Sequence, residues 1–123
     1  MLLTQDSPQG KYQIRNYQPG SITINDTVYT ESLIVTLTTL ITPWPPRSVA
    51  ELSQAHLTPL LELHPAIVLL GTGPSGKFLS PALLAPLFNQ QIGVEVMDTA
   101  AACRTFTVLT AEGRNVAAAL LIE

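Results

Sequence analysis

Apolar and polar positions divide the chain into short strands and short helices. Lys11 to Tyr17 reads as a strand, closed by the turn signal Pro19-Gly20. Ser21 to Ile24 and Thr27 to Tyr29 flank Asn25-Asp26, a pair that tolerates positive φ and suits a tight hairpin. Leu33 to Thr42 (LIVTLTTLIT) is dense in β-branched residues and predicts one continuous strand. Pro43-Trp44-Pro45-Pro46 ends it, because proline cannot donate to a ladder. Trp44 is read as an apolar lid over the sheet edge, in preference to a proline-rich recognition segment.

Ser48 and Glu51 have the spacing of a capping box, which predicts a helix start at Ser48. Thr58-Pro59 is a second start signal, and His64-Pro65 stops that segment. Ala66 to Leu70 (AIVLL) is wholly apolar, the mark of a strand buried on both faces in a parallel sheet. A glycine-rich loop follows, from Gly71 to Leu79. Ser80-Pro81 opens a helix to about Gln90, with Pro86 inside it. Ile92 to Met97 is the next strand. Asp98 or Thr99 caps a helix from Ala100 to about Glu112, stopped by Gly113. Ala102, Phe106 and Leu109 share its inner face. Val116 to Ile122 is a final apolar strand.

The order of elements describes a mixed α/β domain over residues 11–123, behind a loose lead-in at residues 1–10. The 123 residues fit one domain. Hydrophobic residues make up 46% and charged residues 12%, about half of the usual ~25%. With a mean hydropathy of +0.30 this excludes disorder, and it leaves apolar surface for a partner or a second copy to cover. A homodimer or larger homo-oligomer is therefore expected. The formal charge is −3, and Lys11, Arg15, Arg47, Lys77, Arg104 and Arg114 form no run, so no nucleic-acid partner is expected. The first ten residues lack the basic-then-apolar order of a secretory signal, and no apolar stretch approaches the ~20 residues of a bilayer span. The expectation is a soluble, cytoplasmic chain with no membrane span.

Candidate chemistry is sparse. Cys103 is the only cysteine, so an internal disulfide and a multi-thiolate metal site are excluded. It reads as a buried structural thiol, because no histidine partner is evident. His56 and His64 read as surface or helix-end residues. Glu95 and Asp98, three apart on a strand, face opposite ways and make a poor acid–base pair. No catalytic residue, metal ligand or cofactor is assigned.

Gly71-Thr72-Gly73-Pro74-Ser75-Gly76-Lys77 matches both G-x-G-x-x-G and the first seven positions of the phosphate-loop pattern. Phe78 stands where the phosphate loop needs a magnesium-binding hydroxyl. Pro74 has no N–H to offer, and Lys77 precedes the helix start. A dinucleotide site fits a little better, with Asp98 at a suitable distance, but only one βαβ unit is visible. The plainer reading is a tight turn as the buried strand leaves the sheet. Such a turn can still line a pocket, since ligands gather at the carboxyl ends of parallel strands. Thr72, Gly73, Asp98 and Arg104 are the candidate ligand- or partner-binding residues on that edge. Arg104, six residues after Asp98, either reaches back over the loop or pairs with a carboxylate such as Glu112 or Glu95.

Four segments carry a family resemblance: Ile67 to Gly73 (IVLLGTG), Gly93 to Thr99 (GVEVMDT), Ala101 to Thr105 (AACRT) and Glu112 to Leu120 (EGRNVAAAL). In these and in the order of its elements the chain resembles the mitochondrial complex I assembly factor 3 family, whose small domains also occur in bacteria and archaea. The family usually has an aromatic residue and then asparagine after the arginine-threonine pair. Phe106-Thr107 stands there in this chain, so an amide that donates and accepts is lost. The resemblance implies a three-layer α/β domain with a mixed, partly parallel sheet and an N-terminal β-hairpin region. It also implies no established enzymatic activity and an assembly role through protein contacts. The alternative is an orphan enzyme or small-molecule binder, possibly of a nucleotide, that uses the Gly71–Gly76 loop.

Overall fold

The computed structural model describes residues 3–6 and 11–123. Among the described residues nine strands and three α-helices follow one another. They are β1 (Leu3–Asp6), β2 (Ile14–Gln18), β3 (Ser21–Ile24), β4 (Thr27–Tyr29), β5 (Leu33–Val35), β6 (Thr39–Thr42), α1 (Thr58–Leu63), β7 (Ile67–Gly71), α2 (Pro81–Asn89), β8 (Gly93–Met97), α3 (Thr99–Ala111) and β9 (Val116–Leu120). Six strands form one sheet in the order β1-β6-β5-β9-β7-β8, and β2-β3-β4 form a separate antiparallel meander. β9, β7 and β8 run parallel, while β5, β6 and β1 are antiparallel additions. The sheet is thus mixed and partly parallel, as expected.

Two apolar clusters set the layers. On one face of the sheet Val68, Leu70, Ala117 and Ala119 pack with Leu57, Leu60, Leu84 and Leu87 from the α1 and α2 layer. On the other face Leu69, Ala118 and Leu120 pack with Ala102, Cys103 and Phe106 of α3 and with Ile22 and Ile24 of the meander. Period-two alternation along β7 and β9 sends successive side chains into opposite clusters. Every residue of β9 is buried, as a central strand covered on both faces requires.

Two expectations are corrected. Leu33 to Thr42 is not one strand but the β5–β6 hairpin. Thr36 Oγ1 accepts from the amides of Thr38 (3.2 Å) and Thr39 (2.9 Å), and the Thr36 amide donates to the Thr39 carbonyl at 2.8 Å. A threonine that favours a strand by its branching also turns the chain by its hydroxyl. Ser48 does not open an α-helix. Val49–Glu51 is a single 3₁₀ turn without a side-chain cap, and Glu51 Oε1 accepts from the Arg47 amide instead. The reciprocal cap forms five residues later, where the Ser53 amide donates to His56 Nδ1 at 3.0 Å. Within the lead-in, Leu3–Asp6 is a strand paired antiparallel with β6; the rest of residues 1–10 lies outside the described residues.

Other local signals act as read. Asn25 holds φ +53 in the β3–β4 turn. Trp44 is buried and donates its Nε1 hydrogen to the His56 carbonyl at 2.9 Å. Ser80 caps α2 by accepting from the Ala82 amide, and Asp98 caps α3 by accepting from the Ala101 amide at 2.8 Å. Among the described residues no helix is long and apolar enough to cross a membrane.

Candidate functional site

The parallel pairing of β7 with β8 brings Gly71 level with Met97, so the segments leaving both strands meet on one edge. The Thr72 amide donates to the Met97 carbonyl at 2.8 Å, and the Thr72 hydroxyl donates to the Ser75 carbonyl at the same distance. Gly73, at φ +99, donates its amide to Thr99 Oγ1 at 2.8 Å and accepts from the Thr99 amide at 2.9 Å. The Thr99 hydroxyl in turn donates to the Leu121 carbonyl at 3.0 Å. Thr99 therefore ties together the exit of β7, the first turn of α3 and the segment after β9.

The glycines fit this junction. A Cβ on Gly71 would lie 2.9 Å from Thr99 Cα, so no side chain fits there without displacing the first turn of α3. Thr72 and Gly73 are buried, and their amides are spent inside the fold. The amides at 72 and 73 are therefore closed to a phosphate, and Lys77 sits on exposed loop four residues ahead of α2.

Two clefts open beside the junction. One, of about 250 Å³, is lined by Gly73, Pro74, Tyr17, Gly20 and Glu123 among others. The next, of about 260 Å³, lies between β2 and α3 and is lined by Ile14, Arg15, Tyr17, Cys103, Arg104 and Thr107 among others. Tyr17 stands in both. It was not singled out from the sequence, because only the long-range placement of β2 against α3 brings it there. Burial first, then the negative charges at Cys103, Asp98 and Glu123, push its phenol above the usual range.

Of the candidate residues, Thr72, Gly73 and Asp98 meet at the junction. Arg104 does not reach over the loop. It is exposed on the side of α3 that faces β2, and it makes no ion pair with Glu112, Glu95 or any other described residue. Cys103 is buried beneath it, and burial pushes its thiol up to about 12 against a smaller opposing pull from Arg104. Thr107 donates its hydroxyl to the Cys103 carbonyl at 3.1 Å, an ordinary back-bond within the helix.

A mixed six-stranded sheet between a helical layer and a layer of one helix plus a three-stranded meander defines the class: a three-layer α/β domain. The chain belongs to the family described as "Protein of unknown function (DUF498/DUF598)", which matches residues 14–121. It is 36% identical over 111 residues to NADH dehydrogenase (ubiquinone) 1 alpha subcomplex assembly factor 3 of Danio rerio, covering 88% of this chain and 63% of that protein. The chain thus spans just under two thirds of the length of that relative. A crystal structure from Bordetella parapertussis superposes with a TM-score of 0.87 at 31% identity, over 95% of this chain and 100% of that one. An NMR structure from Xanthomonas campestris gives 0.84 at 37% identity, over 96% and 89%. A Bartonella henselae chain called an outer membrane protein gives 0.81 at 30%, over 92% and 96%.

Proposed function

We propose that the chain is a non-enzymatic protein-binding domain of the assembly-factor kind, acting in the cytoplasm. The carrying observation is the closed junction: the amides of Thr72 and Gly73, which a nucleotide-binding loop would offer to phosphate, are consumed by Met97 and Thr99. What the edge presents outward is side-chain surface. Thr72, Gly73 and Asp98 shape this edge, and Tyr17 and Arg104 make the contacts. The likeness to assembly factor 3 of Danio rerio supports a protein as the partner. The loop also exposes Phe78, 83% accessible, an aromatic group that a partner would cover.

The test is capture from a native extract. The wild-type chain is expected to retain a specific protein, and Arg104→Gln to lose it while remaining folded. Repeated captures that retain nothing, together with turnover or strong thermal stabilisation in a metabolite screen, would overturn the reading in favour of a small-molecule site. Fractionation of the producing cells is expected to find the chain in the cytoplasm; recovery with outer membranes would refute that part.

Self-association belongs to the same reading. Val28, Phe88 and Val108 are exposed on a chain with only 12% charged residues. A two-fold dimer is the expected form. Sedimentation at high micromolar concentration checks it, and a monomer there refutes it.

A further inference from the structure

Three of the six cations, scattered in sequence, come together in space. A cleft of about 320 Å³ lies between α3 and the segment leading into β2 and is lined by Lys11, Ile14, Arg15, Phe106, Thr107 and Thr110 among others. It shares Ile14, Arg15 and Thr107 with the 260 Å³ cleft that holds Arg104. The two are one groove between β2 and α3. Three of the six basic side chains of a chain with net charge −3 line it, and none of its described lining residues is a carboxylate. Lys11, Arg15 and Arg104 make no ion pair among the described residues. Asp98 lines neither cleft; an adjoining cleft that Lys11, Gln13 and Arg15 also line brings in Asp26, against which the three cations still leave a positive excess.

Shape adds to charge. From residue 11 to residue 17 the wall made by β2 and the segment leading into it spans at most about 20 Å at ~3.3 Å per residue. From residue 100 to residue 111 the α3 wall runs about 17 Å at ~1.5 Å per residue. A long groove of this kind suits a stretch of extended chain better than a compact metabolite. Its inner wall is apolar at Ile14 and Phe106, and β2 is an edge strand bonded only to β3 among the described strands. The ladder shifts register between Ile14 and Asn16, which leaves Arg15 as the extra residue of a bulge, a device that re-aims a side chain. Three cations against Asp26 leave the Lys11–Arg15 part of the groove positive, while Asp98 and Glu123 set negative charge near its Tyr17 end.

The geometry points to the β2–α3 groove as the docking site for an extended, acidic segment of a partner protein, about six residues long, whose carboxylates meet Lys11, Arg15 and Arg104. The inference rests on the protein-binding reading and names the chemistry of the partner. A protein segment fits better than nucleic acid, because three cations on a net acidic chain fall short of the phosphate contacts that such binding needs. A larger cleft, about 620 Å³ beside Trp44, sets Glu31 and Glu123 against Arg47 alone and has no such bias.

The test uses a fluorescent eight-residue peptide alternating Glu with Val, its Gln-for-Glu twin, and an eight-nucleotide oligothymidylate. Anisotropy is expected to show binding of the acidic peptide only, weakening as salt rises. Backbone amide shifts should fall on residues 11–17 and 100–111. The triple variant Lys11→Gln, Arg15→Gln, Arg104→Gln should bind at least tenfold more weakly with an unchanged amide spectrum elsewhere. The control triple Arg47→Gln, Lys77→Gln, Arg114→Gln removes the same charge elsewhere and should lose less than threefold. Equal loss in both triples, equal binding of the Gln twin, tighter binding of the oligothymidylate, or shifts confined to another surface each overturn the groove. If the groove triple still captures the native partner undiminished, the groove and the contact assigned to Arg104 are both overturned, and protein binding stands only at another surface.

Discussion

Thr99→Val replaces the hydroxyl at the junction by a methyl group of nearly the same volume. The fold around it stays filled, so the effect isolates two hydrogen bonds. One comes from the Gly73 amide at 2.8 Å and the other goes to the Leu121 carbonyl at 3.0 Å, and all three residues are buried. Each orphaned group costs about 1–3 kcal/mol, so the variant should lose roughly 3 kcal/mol. For a domain of this length that is a fall of about 10 °C in Tm. Thr99→Ser keeps the hydroxyl and removes one methyl, and should lose only about 1 kcal/mol. Urea unfolding followed by circular dichroism at 25 °C gives both values, with an unchanged m-value as the check that only stability has moved. A valine variant within about 0.5 kcal/mol of wild type, or no worse than serine, would refute the junction as described.

Gly71→Ala should destabilise by about 1–3 kcal/mol through overpacking against Thr99 and the Leu120 side chain, read in the same unfolding assay. Asp98→Asn should hold α3 as well as aspartate does, while Asp98→Ala should cost about 1 kcal/mol, because the cap needs an oxygen and not a charge. The folded-state pKa of Cys103 is raised, so its contribution to stability is complete below 9.0 and is lost as pH climbs from 9.0 towards 12. In that window stability should fall by up to about 1.4 kcal/mol per pH unit on account of this thiol, and the fall should flatten in Cys103→Ala. Tyr17, raised in the same direction, adds to the alkaline loss above 10.0. Arg104→Gln should change stability by less than about 0.5 kcal/mol, since no ion pair is broken.

Much of the fold is legible in local sequence because the signals are local. Ser80-Pro81 and Asp98 carry their caps beside the helices they open, and AIVLL announces a strand covered on both faces whatever covers it. The Leu33–Thr42 hairpin is hidden because branching and hydroxyl chemistry pull threonine in opposite directions, and only tertiary pairing with β9 decides between them. Ser48 offers the right spacing for a cap, but the chain tightens into 3₁₀ turns before α1. The site is legible in part. Thr72, Gly73 and Asp98 meet because parallel strands end on one edge. Arg104 is misplaced by counting residues from Asp98, since the turn of α3 carries it round to β2 rather than back over the loop. Tyr17 and the gathering of Lys11, Arg15 and Arg104 depend on how the meander docks on α3, a contact between segments some ninety residues apart in sequence. The only local hint was a tyrosine at the end of a strand beside Pro19-Gly20.

The most direct measurement is quantitative capture from a native extract by the wild-type chain, by Arg104→Gln and by the distant surface variant Glu62→Gln, all at equal folded concentration. The predicted result is one protein partner, retained equally by wild type and Glu62→Gln and depleted at least fivefold by Arg104→Gln. Equal retention by all three would remove the α3 edge from the account. No specific partner in any of them, with a metabolite turned over instead, would contradict the claim that this domain works by binding protein.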